Sequence, residues 1–301
     1  MSFVQVSLLF LVQMAFGSMA TFPLTDREAL GPKYFKFGGW VLVALYGLAL
    51  TICGEALFDG GAAPLDQLTA LSVALATVGM LAFSSLAGWD RPKLESLTLW
   101  ISLLAGGTAV VAGALAQLPP EVVGEVAGQV AGDGTPTAAA SAGLSHSAAM
   151  ALTIAAALLS SLVLGFATWG MCLGHWYLVA AGLEIKHLAR LVTPLPWIFG
   201  AKLVLSTTVL WLMWDSFLGP GNRSMVDVFE RHPDRILDLV NVCSRIPVGL
   251  AIPFVLACMA RVTVRMERTQ PATGILYAMM VLVFMGDLMG KMIEGTTGIP
   301  M

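Results

Sequence analysis

Charged side chains are scarce in this sequence of 301 residues, where Asp, Glu, Lys and Arg together make up only 12%. A soluble globular domain carries about 25%, so this composition excludes an ordinary water-exposed surface. The hydrophobic share is 57% and the mean hydropathy is +0.82. We therefore predict an all-α, polytopic integral membrane protein, and we expect no nucleic-acid partner.

Cysteine and histidine are also sparse, with four residues of each type. The cysteines form no CxxC pair, which argues against a disulfide framework, a zinc site or an iron–sulfur cluster. Two histidine ligands of one haem would have to face each other at one depth, and only His175 lies within a predicted membrane segment. We expect no metal site, although haem ligation by His175 and one of the 16 methionines stays open.

Long apolar runs occur along the whole chain, and a helix needs about 20 residues to cross the hydrocarbon core. Eight runs come near this length: residues 4–24, 37–58, 68–88, 97–118, 147–179, 191–214, 239–263 and 273–293. They predict one membrane domain over residues 1–301 with eight transmembrane helices. Two long connections remain, a flexible loop over residues 119–146 and a second loop over residues 215–238.

The basic residues between these runs are unevenly divided. One side of the predicted membrane has ten: Arg27, Lys33, Lys36, Arg91, Lys93, Lys186, Arg190, Arg261, Arg265 and Arg268. The other side has three: Arg223, Arg231 and Arg235. Because Lys and Arg accumulate in cytoplasmic loops, we predict that both termini lie on the outer, periplasmic side of the cell's inner (cytoplasmic) membrane, which the chain crosses as a multi-pass protein.

Six ionisable residues lie inside or at the edge of these apolar runs: Glu55, Lys202, Asp215, Arg245, Asp287 and Lys291. Charges at membrane depth are costly, so they are usually paired or functional. A helix rises about 1.5 Å per residue, and on this count all six except Lys202 lie in the outer layer. We expect Lys202 alone near mid-membrane.

The five outer residues are predicted to form one site. Asp287 and Lys291 are four residues apart, a spacing that favours an ion pair on one helix face. As a functional site, Glu55 and Asp287 would accept protons, while Arg245 and Lys291 would hold an anionic or carbonyl oxygen. The alternative is that these charges only neutralise one another between packed helices.

A second cluster, His175, Trp176 and Tyr177, lies at the cytoplasmic end of the fifth predicted helix. Trp and Tyr at this depth are typical of the aromatic belt of membrane proteins. We interpret the cluster as belt and packing residues, with a ligand or partner contact by His175 as the alternative.

The last two predicted helices contain recognisable motifs. They are Ser244-Arg245-Ile246, Gln270-Pro271, Gly286-Asp287-Leu288-Met289-Gly290-Lys291 and the closing Gly298-Ile299-Pro300-Met301. In these motifs, and more weakly in Phe10, Gln13 and Gly17 of helix 1, the chain resembles the membrane anchor subunits of the DMSO reductase and polysulfide reductase type. It departs from them where Asp287 and Lys291 replace the usual Glu and Arg. The family's His-Leu-Gly after helix 2 is also missing, and Glu55 would have to replace that histidine.

The resemblance implies a function. Such anchors have eight helices with both termini outside, hold no redox centre, and bind a menaquinol or ubiquinol near the outer face. They pass electrons to iron–sulfur or cytochrome partner subunits. We therefore expect a quinone-interacting anchor subunit of a respiratory oxidoreductase, with a quinone site at Glu55, Asp215, Arg245, Asp287 and Lys291 and no separate catalytic residue. The alternatives are a structural or assembly subunit, a transporter and a haem-binding membrane protein.

Overall fold

The computed structural model describes residues 3–59, 62–87, 91–118, 146–180, 183–212, 214 and 236–297. In these ranges the chain consists of helices and connecting turns. The α-helices are α1 (Phe3–Met19), α2 (Arg27–Cys53), α3 (Pro64–Leu86), α4 (Pro92–Leu115), α5 (His146–Val179), α6 (Lys186–Val192), α7 (Leu195–Leu212), α8 (Ile236–Arg245), α9 (Ile252–Arg265) and α10 (Thr269–Thr297). Short 3-10 turns follow α1 and α2, at Phe22–Leu24 and Gly54–Leu57.

Within the described ranges, eight helical segments are long and apolar enough to cross a membrane, which confirms the predicted number of spans. The sixth span combines α6 and α7, and the seventh joins α8 to α9 through a π-helical turn. Which side the termini occupy stays a prediction. Most of each predicted long loop lies outside the described residues, and so does Asp215.

The second span begins earlier than the sequence predicts. The expected start was residue 37, whereas α2 begins at Arg27. The Asp26 side chain caps this end by accepting two backbone N–H groups of the first turn, at 3.1 and 3.5 Å. Gly31, with φ of 72°, then kinks the helix just before Pro32. The basic residues of this region therefore lie on a helix end rather than in a loop.

Helices α1 and α5 occupy the centre of the bundle. Helix α1 contacts α2, α4, α5 and α10, while α5 contacts α4, α7 and α10. A Cβ atom on Gly17 would lie 1.7 Å from the carbonyl oxygen of Ser161, and one on Gly165 would lie 1.8 Å from the carbonyl carbon of Gly17. The two central helices therefore touch backbone to backbone, as small residues allow in membrane proteins. Helix α5 also runs unbroken through Gly170 and Gly174.

The seventh span widens where it meets α10. The π-helical turn covers Pro247–Ala251, and the backbone N–H of Ala251 donates to the carbonyl oxygen of Ile246 at 2.8 Å. A Cβ atom on Gly249, within this turn, would lie 2.6 Å from the Cα of Gly286 on α10. Single π turns inside helices are frequent at functional sites. This one begins two residues after Arg245 and faces the segment that bears Asp287.

Candidate functional site

An ion pair on α10 forms the centre of the candidate site. The Nζ atom of Lys291 lies 3.2 Å from Oδ2 of Asp287, one helical turn away, as the four-residue spacing predicts. Each residue is only 4% exposed. A charged pair so far from solvent persists only when its geometry and surroundings compensate the loss of water.

The same lysine connects the last helix to the first. Its Nζ donates a hydrogen bond to Oε1 of Gln13 on α1, and Gln13 is itself buried. Lys291 thus has one acidic and one amide partner. These contacts fix the position of the ammonium group between α1 and α10.

Arg245 ends α8 and is 2% exposed. Its guanidinium lies against two glycines: a Cβ atom on Gly290 would lie 2.8 Å from Nε of Arg245, and one on Gly249 would lie 3.2 Å from Nη1. Neither position has room for a larger residue unless the arginine moves. The Nε–H group of Arg245 has no hydrogen-bond acceptor among the described residues.

Lys202 on α7 belongs to the same region. It is 1% exposed, and its Nζ donates to the carbonyl oxygen of Ala156 on α5 at 3.0 Å. Its charge interacts with those of Arg245, Asp287 and Lys291. The count of helix depth put Lys202 apart from the other charges, but its charge interacts with theirs in the folded protein.

Glu294 is a residue of this region that the sequence analysis did not single out. It lies three residues after Lys291 on α10, and its charge interacts with those of Lys291, Lys202, Asp287 and Arg245. The spacing of seven residues from Asp287 is the signal that would have found it. We call the group Gln13, Lys202, Arg245, Asp287, Lys291 and Glu294 the Arg245 cluster.

Glu55 lies elsewhere. It is exposed, on the 3-10 turn after α2, and it lines a cavity of about 240 Å³. Polar residues sharing this cavity include Gln5, Asp66 and Gln117. Helix α2 packs on α1 and α3, and across the described part of the chain Glu55 forms no ion pair with Arg245 or Lys291. The structure therefore brings together Arg245, Asp287 and Lys291 of the predicted site, but not Glu55.

A groove lies between α7 and the residue that follows Arg245. Its volume is about 450 Å³, and it is lined by Thr207, Leu210, Trp211, Trp214 and Ile246. Two of these residues directly follow a buried polar residue in the sequence: Ile246 follows Arg245, and Thr207 follows Ser206. The Ser206 hydroxyl is buried and has no hydrogen-bond partner in the described ranges. The groove is thus apolar and partly aromatic, and its walls come from the chain segments that bear Arg245 and Ser206.

The cluster at the end of α5 makes contacts within the chain. The Nδ1 atom of His175 lies 3.2 Å from the hydroxyl of Tyr277 on α10. The Trp176 ring packs on the edge of Tyr34, with ring centroids 5.5 Å apart. The Tyr177 hydroxyl donates to a backbone carbonyl just before α6 and accepts a backbone N–H at 3.3 Å. All three residues therefore have packing or hydrogen-bonding roles.

The chemistry available at the Arg245 cluster follows from its unpaired atoms. Buried polar groups in native proteins nearly always have partners, yet Nε of Arg245 has no hydrogen-bond acceptor among the described residues. Oδ2 of Asp287 has the ion pair with Lys291. The Nε–H group of Arg245 is thus a donor open to another polar molecule, and the Asp287 carboxylate can accept a further hydrogen bond beside its ion pair. No group of three or more His, Cys, Asp or Glu in the described ranges is arranged to hold a metal ion. Comparisons with known protein families, characterised proteins and solved structures found no match for this chain.

Proposed function

We propose that this protein is a membrane anchor and quinone-interacting subunit of a multi-subunit respiratory oxidoreductase, with the quinone headgroup at the Arg245 cluster. One observation carries the proposal. A buried guanidinium with an unpaired Nε–H shares the cluster with a buried acid whose Oδ2 is ion-paired with Lys291 and has lone pairs left to accept a proton. A quinone offers carbonyl oxygens to such a donor, and a quinol offers hydroxyl protons to such an acceptor.

Each residue has a defined task in this proposal. A bound quinol supplies two electrons and two protons. Arg245 donates a hydrogen bond to a headgroup oxygen, and Asp287 accepts a hydroxyl proton as general base. Lys291 orients Asp287 through the 3.2 Å ion pair and is itself held by Gln13. The electrons pass to an iron–sulfur or cytochrome partner subunit.

The groove beside α7 supports lateral entry from the bilayer. Trp211 and Ile246 are among its walls, and Trp211 is 77% exposed on the outside of the bundle. Apolar and aromatic walls with a few convergent polar groups are typical of small-molecule sites. A lipid-soluble quinone would therefore reach Arg245 sideways through the groove.

A structural or assembly subunit is the second candidate, and a specific contact favours it. Buried polar contacts connect α1 and α10: Lys291 donates a hydrogen bond to Gln13 and pairs with Asp287. In a purely structural protein these contacts would hold the first and last helices together and need no ligand. The two candidates differ in what happens when the acid alone is neutralised.

The substitution Asp287→Asn in the complete complex separates them. It keeps the shape of the side chain and removes the base, so quinol-dependent turnover, measured per assembled complex, should fall by about 100-fold or more. Asp66→Asn is the matched control, because Asp66 is exposed and lies outside the Arg245 cluster. Normal turnover of an intact Asp287→Asn complex would favour the structural subunit.

A further inference from the structure

Three ionisable residues share one face of α10. Lys291 follows Asp287 by four residues and Glu294 follows Lys291 by three, and these spacings make neighbours on a helix surface. At about 1.5 Å per residue, Glu294 lies roughly 10 Å along the axis from Asp287. Acid, base and acid therefore alternate from the buried ion pair towards the C-terminal end of α10.

Burial decreases along this face. Asp287 and Lys291 are each 4% exposed, whereas Glu294 is partly exposed. Of the three, Glu294 is thus the residue with access to the surroundings of the bundle. A group of this kind offers a proton on Asp287 a route to the surface.

The surroundings of Glu294 include charges from three helices. Asp287 and Lys291 lie on its own helix, Lys202 comes from α7 and Arg245 ends α8. Moving one proton from Asp287 to Glu294 leaves the summed charge of this group unchanged. Such a transfer avoids creating an extra uncompensated charge in a buried region, which would be the costly event.

We infer that Glu294 is the exit carboxylate of the Arg245 cluster and releases to water the protons that Asp287 takes from quinol. Each quinol hydroxyl loses its proton as its O–H bond breaks and a new O–H bond forms on Asp287. Lys291 gives a proton from its ammonium to Glu294 and regains one from Asp287. The two electrons leave to an iron–sulfur or haem acceptor in a partner subunit. This inference rests on the proposed function and assigns its proton pathway.

The test compares Glu294→Gln, Glu294→Asp and the control Glu28→Gln in the complete complex, reconstituted in phosphatidylcholine vesicles. Glu28 is exposed near the start of α2 and is not a member of the Arg245 cluster. The probes are short-chain benzoquinols and naphthoquinols. With Glu294→Gln, proton release followed by an impermeant pH dye should slow by about 10-fold or more, with quinone affinity unchanged. Glu294→Asp should recover most of the rate, since it restores a carboxylate.

A second measurement is independent of turnover. Infrared difference spectra between the quinone-bound and quinol-bound states should show a carboxyl band that disappears in Glu294→Gln. If Glu294→Gln abolishes quinone binding, Glu294 is a headgroup ligand and the exit role is wrong. If release rate and carboxyl band are both unchanged, the exit role is also wrong while the quinone site stands. If the unaltered complex binds neither probe, the proposed function itself fails.

Discussion

A Cβ atom on Gly286 would lie only 2.3 Å from the Cα of Gly249, so α10 and the π-helical turn touch backbone to backbone. Gly286 directly precedes Asp287, and Gly249 follows Arg245 by four residues. The glycine contact therefore brings the acid and the guanidinium to the same interface. Without it, these two buried charges on different helices would lie farther apart.

Gly286→Ala should consequently destabilise the protein. The added methyl group has to push α10 from the π-helical turn, and overpacking of this kind costs about 1–3 kcal/mol. Thermal unfolding in detergent should show a lower midpoint. Gly274→Ala is the matched control on the same helix, because a Cβ atom there meets nothing within 4 Å. Equal midpoints for the two variants would contradict the contact.

The helices could be predicted from the sequence because length and apolarity are local properties. Eight spans follow from eight apolar runs, but their ends do not. Helix α2 begins at Arg27 because Asp26 caps it, and the apolar count gives no weight to such polar first turns. The π-helical turn after Arg245 also has no apolar signature, since it depends on a widened backbone beside α10.

The site was predictable only in its local part. The Asp287–Lys291 pair follows from spacing along one helix, whereas the bond from Lys291 to Gln13 joins residues 278 positions apart. Depth along a helix puts Glu55 in the same layer as Arg245, but it does not say which helices are neighbours. Because α2 packs on α1 and α3, Glu55 lies at a different cavity.

Lys202 and Asp287 should respond differently to neutral replacements of similar size. Lys202→Met removes a cation whose charge is repelled by those of Arg245 and Lys291. The free energy of unfolding should therefore change by no more than about 1 kcal/mol. Asp287→Leu leaves the buried Lys291 without its ion-pair partner and should cost about 3–5 kcal/mol. Chemical unfolding in detergent measures both. A larger loss for Lys202→Met than for Asp287→Leu would show that the lysine is the essential partner.

Trp211 should report quinone in the groove beside α7. A short-chain quinone bound there should quench tryptophan fluorescence, and Trp211→Phe should reduce the quenched fraction. Trp197→Phe is the control on the same helix, because Trp197 is also highly exposed but lies about 21 Å away along the axis. Equal quenching in both variants would remove the groove from the proposal.

The orientation of the bundle can be tested at the two ends of α2. Arg27, at the start of α2, forms an ion pair with Glu95, at the start of α4, so both helices begin on one side of the bundle. The basic residues at these two helix starts therefore lie together, and we predict that this side faces the cytoplasm. Glu28 and Glu55 are both exposed, and the part of α2 that separates them, from the kink at Gly31 to Cys53, is about 33 Å long, enough to span the membrane. In a variant whose native cysteines are replaced, Glu55→Cys should react with an impermeant maleimide in intact cells, whereas Glu28→Cys should react only after permeabilisation. The reverse pattern would mean that both termini face the cytoplasm. The C-terminal end of α10 would then also lie on the cytoplasmic side.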